Sequence, residues 1–70
     1  MNSIDINKAI KLMHSGKYEA AREVLLRLAE SGDALAQERL GFIYMFGISV
    51  EKDYLKAKHW LNLSATSGNS

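Results

Sequence analysis

Two histidines, eight carboxylates and seven serines are the side chains with which this 70-residue chain could hold a metal ion, move a proton or act as a nucleophile. His14 and His59 stand 45 residues apart, in neither a His-x-x-x-His nor a Glu-x-x-His arrangement, among lysines and packing residues rather than further ligands. They read as surface or helix-end residues. Asp33 and Asp53 each precede a stretch with helical periodicity, where a carboxylate accepts hydrogen bonds from exposed backbone N–H groups. Capping accounts for both. General acid–base work needs two carboxylates converging in a cleft with divergent pKa values, and a chain this short has little room for one. No serine sits in a Gly-x-Ser-x-Gly turn, and neither a Gly-x-Gly-x-x-Gly nor a Walker-type element occurs. The reading is of a non-enzyme with no catalytic residue, no metal ligand and no cofactor.

Composition narrows the classes further. With 47% hydrophobic residues, 24% charged residues and no proline, the chain reads as one ordinary folding unit rather than a disordered one. Basic and acidic residues balance, five against five over 1–35 and four against three over 36–70, for a net charge of +1. Such a balance gives no footprint for nucleic acid or an anionic membrane. Cysteine is absent, so a disulfide framework, a thiolate nucleophile and cysteine-bound zinc are excluded. The most apolar stretch, residues 40–50, is broken by Gly41 and Gly47 and is too short to span a bilayer. The opening Met-Asn-Ser-Ile-Asp resembles no signal peptide, and a cytoplasmic location is expected.

The elements that must position any functional side chain are helices. Gly16, Gly32, Gly47 and Gly68 each follow a helical stretch and read as stops. The first helix is expected to start near Ser3 or Asp5 and to carry Ile6, Ile10 and Met13 on one stripe. The second is expected over Tyr18 to Ser31, with Tyr18, Ala21, Leu25, Leu28 and Ala29 inward. Asp33 caps a third through Phe46. Residues 47–53 form a loop in which Val50 packs back, and Asp53 caps a fourth helix through Ala57, Trp60, Leu61 and Ala65. At an offset of 36 residues, Tyr18, Ala21, Leu25, Ala29, Ser31 and Gly32 recur as Tyr54, Ala57, Leu61, Ala65, Ser67 and Gly68. Two helices per period of this size are the signature of a helical solenoid. The fold class is therefore all-α, two antiparallel helical pairs in a short solenoid.

The stretch from Gly32 to Gly47, followed by Val50, Asp53-Tyr54, Lys56-Ala57 and His59-Trp60, resembles the Sel1-like repeat, a relative of the tetratricopeptide repeat with a longer loop. Ala36, Leu40, Gly41, Tyr44, Gly47, Val50, Asp53, Ala57, Trp60, Ala65 and Gly68 fall at that family's spacing, covering 33–68. Residues 3–31 match only its second-helix part and form a more generic or capping pair. Ser49 departs from the family's frequent Gly-x-Gly, and Leu61-Asn62-Leu63-Ser64 departs from its usual run after the tryptophan. The resemblance implies an adaptor or scaffold for protein complexes, without chemistry of its own.

The third helix carries more apolar residues than one face can hold. With Ala36, Leu40, Ile43 and Tyr44 inward, Leu35, Phe42, Met45 and Phe46 cannot all share their side. Gln37, Arg39, Phe42 and Met45 are the expected contacts for a protein or peptide partner. The alternatives are that some of these residues pack on the first helical pair, or that they form a homodimer seam. Phe46, Leu61 and Leu63 are the expected self-association residues, because two pairs are fewer than the roughly three repeats a solenoid needs for independent stability. A non-catalytic interaction module is the first functional expectation. A structural oligomerisation element, or a terminal segment of a larger scaffold, is the alternative.

Overall fold

The computed structural model describes residues 2–67, with side chains from 6 to 66. Four helices follow one another, α1 (Asn2–His14), α2 (Tyr18–Glu30), α3 (Ala34–Phe46) and α4 (Tyr54–Ser67). No strand occurs among the described residues. Each helix packs on its neighbour in the sequence, α1 on α2, α2 on α3 and, most extensively, α3 on α4. The result is an all-α, solenoid-like slab of 32 × 30 × 14 Å.

The connections explain the stacking. At the end of α2, Asp33 N–H donates to Leu28 O at 3.0 Å and Gly32 N–H to Ala29 O at 3.1 Å, with Gly32 at φ 102°. This paired closure satisfies the last carbonyls and needs a left-handed residue, which glycine adopts without a Cβ clash. Asp33 then starts α3, its Oδ1 accepting from Ala36 N–H at 3.0 Å. Only three residues separate α2 from α3, so the two fold back as neighbours.

The longer loop is fastened at both ends. Ile48 N–H donates to Ile43 O at 3.0 Å and Asp53 N–H to Tyr44 O at 2.9 Å. Ile48 and Val50 pack on the core. Asp53 Oδ1 accepts from Lys56 N–H at 3.1 Å, capping α4 as its position predicts. Helix α1 begins at Asn2, upstream of Ser3 and Asp5, so neither stands at the expected cap position. Gly68, expected to end α4, lies outside the described residues.

Apolar spacing decides which faces are covered. Ile6 and Ala9 of α1, Leu25, Leu28 and Ala29 of α2, and Ala36, Leu40 and Ile43 of α3 form the buried core. Ile10, Met13, Tyr44 and Trp60 are half-buried against it. Tyr18, expected inward, stands at the exposed edge of α2, one turn beyond the buried Ala21. Burying such a core stabilises the slab by about 25 cal/mol per Å² of apolar surface removed from water.

Candidate functional site

The residues able to do chemistry are kept apart or already engaged. His14 is exposed in the last turn of α1, while His59 is exposed on α4 with its ring edge-on to Trp60 at 5.0 Å. Among the described residues no group of three or more His, Cys, Asp or Glu side chains is placed to hold a metal ion. An open polar recess of about 430 Å³ brings Arg22 beside Glu51, Lys52, Asp53 and Lys56. Its Asp53 carboxylate caps α4, and its Lys56 Nζ lies 5.3 Å from the Tyr44 ring centroid. Both groups have structural work there.

The apolar surplus of α3 is resolved by three environments. One side faces the core through Ala36, Leu40 and Ile43. A second faces α4, where Gly41 lies under Leu61 and Ala34 O accepts from Ser64 Oγ at 2.8 Å. The third is covered only in part. Leu35 is 40% exposed and Phe46 61% exposed, and half-buried Arg39 and Phe42 lie between them. The Phe42 and Phe46 rings meet at 6.2 Å between centroids with a 33° tilt. Arg39 Nε is buried without a hydrogen-bond partner. Spacings of four, three and four residues put Leu35, Arg39, Phe42 and Phe46 on one stripe, with half-buried Met45 beside it toward α4.

Of the expected partner contacts, the structure brings Arg39, Phe42 and Met45 to this outer side. Gln37 lies elsewhere, 3% exposed, with Nε2 donating to Ala29 O at 3.0 Å. Its amide ties α3 to the end of α2, a correction to its expected place among surface contacts. The burial follows from helical phase, since 33, 37, 40 and 44 share a side. Of the expected self-association residues, Phe46 is on the stripe, Leu61 packs on Gly41 within the chain, and Leu63 is 37% exposed on α4. Leu35 completes the stripe and was legible only in its spacing to Phe42 and Phe46.

The family model for the Sel1 repeat matches residues 34–69, just over half of the chain and all of the α3–α4 unit. The chain belongs to the Sel1 repeat family. A putative sel1-like repeat-containing protein of Acanthamoeba polyphaga mimivirus is 40% identical to it over 52 residues, 74% of this chain and 10% of that protein. The chain thus spans about a tenth of the length of that curated relative. No solved structure matches it. Sel1-like repeats are non-catalytic helical units typically used in protein–protein interactions. Where the family often has glycine in its loop, Ser49 takes the left-handed conformation itself, at φ 61°. No helix among the described residues is long and apolar enough to cross a membrane.

Proposed function

We propose that this chain is a protein-interaction module, an adaptor whose outer α3 face binds a protein or peptide partner. One observation carries the reading: α3 is covered by α2 and α4, yet its third side keeps Leu35 and Phe46 exposed beside half-buried Arg39 and Phe42. Aromatic side chains on a rigid helix suit a binding hot spot because they bring large contact area with few rotatable bonds, and arginine adds a cation that stacks on rings and bonds acceptors. The pair over 3–31 serves as the support against which the repeat over 33–68 is held.

Selection of a random-peptide display library on the immobilised chain tests this directly. Enriched peptides that lose binding to a folded Phe42→Asp variant support the proposal. Enrichment that is the same on both chains contradicts it.

A second reading, a segment within a larger scaffold, rests on α4. Tyr54 is 66% exposed and Leu55 82% exposed. Ser64 and Ala65 occupy the places that Leu28 and Ala29 hold 36 residues earlier, yet they are half-buried and exposed where Leu28 and Ala29 are buried. A further helical pair fused after α4 raises the unfolding midpoint if that surface is a stacking face. An unchanged midpoint contradicts this second reading.

A further inference from the structure

The outer stripe of α3 has a symmetry of its own. Residues 35, 39, 42 and 46 are spaced four, three and four, so the order of gaps reads the same from either end. When two such helices lie antiparallel, the register that sets Leu35 against Phe46 also sets Arg39 against Phe42, and the two-fold axis repeats both pairs. An isologous dimer needs one patch to complement itself, and a stripe with this order of gaps can do so.

The chemistry of the pairs agrees with the register. Arg39 is the only charged residue in the stripe, and its Nε is buried without a hydrogen-bond partner. Covered by an unrelated apolar helix, its guanidinium would lose water without compensation. Covered in the two-fold register, it meets the face of an aromatic ring, whose quadrupole attracts a cation. We infer that a second copy of this chain occupies the stripe, with each Arg39 laid on the partner's Phe42 and each Leu35 packed on the partner's Phe46.

This inference rests on the proposed interaction face and names its occupant. A seam along one 13-residue helix is about 20 Å long. That is a small contact compared with stable interfaces, so the dimer forms reversibly with concentration.

Sedimentation equilibrium from micromolar to roughly 1 mM chain reads the assembly state, with circular dichroism confirming helicity. The wild-type mass is expected to rise toward twice 7.8 kDa. Phe42→Arg sets guanidinium against guanidinium at both symmetric positions and is expected to weaken association by roughly tenfold or more. The double variant Arg39→Phe, Phe42→Arg exchanges the two partners across the axis and is expected to restore it. A wild-type chain that stays at 7.8 kDa throughout overturns the inference and leaves the face to another protein, which the peptide selection tests separately. A dimer that Phe42→Arg leaves intact, or that the double exchange fails to restore while remaining helical, also overturns it.

Discussion

Gly41 of α3 lies so close to Leu61 of α4 that a Cβ on Gly41 would stand 2.5 Å from Leu61 Cγ and 2.7 Å from Cδ2. The same Cβ would be 3.3 Å from the Ala57 carbonyl oxygen, so α4 cannot simply lean aside. Gly41→Ala gains about 1 kcal/mol of helix propensity. It is expected to lose more through overpacking, which typically costs about 1–3 kcal/mol. Urea unfolding of Gly41→Ala, Leu61→Ala and the double variant checks this. The double variant is expected to be less destabilised than the two single losses add up to, because removing the Leu61 side chain makes room for the new methyl.

Gln37 gives a second outcome. Its Nε2 bonds Ala29 O, while its Oε1 is buried without a partner. Ala29 O also accepts from Gly32 N–H, so that carbonyl stays satisfied when the amide is removed. Gln37→Met is therefore expected to cost less than about 1 kcal/mol. Gln37→Glu is expected to cost about 2 kcal/mol or more at neutral pH, because it places a carboxylate beside a carbonyl oxygen in the core. Denaturant midpoints of the two variants decide the order.

Ser49 holds a left-handed backbone at φ 61° in the exposed part of the loop. A side chain costs about 1–2 kcal/mol in that conformation, and glycine gives back part of the gain through its freer unfolded state. Ser49→Gly is expected to stabilise the chain by about 0.5–1 kcal/mol. Ser49→Ala, which keeps a Cβ at the same φ, is expected to give no such gain. Thermal unfolding of the two variants compares them.

Local signals made much of the fold legible in the sequence. Asp33 and Asp53 cap their helices because a short acceptor before a periodic run needs only its own backbone neighbours. The 36-residue recurrence likewise marked the stacking of helical pairs. Residue type misled where tertiary phase decided. Gln37 looks like a surface residue and is buried, because its position shares a side with Leu40 and Tyr44. Leu61 looks available for another copy and is instead engaged by Gly41, a contact between residues 20 positions apart in the chain. Leu35, Arg39, Phe42 and Phe46 could be grouped only once the other two sides of α3 were known to be covered.

The claim that α3 presents a binding face is tested most directly by NMR chemical-shift mapping of a display-selected peptide titrated into the labelled chain. The largest perturbations are expected at Leu35, Arg39, Phe42, Met45 and Phe46, with Leu25, Leu40 and the other core residues little changed. Perturbations centred instead on the loop over 47–53 or on the outer side of α4, with the α3 stripe unaffected, would contradict it.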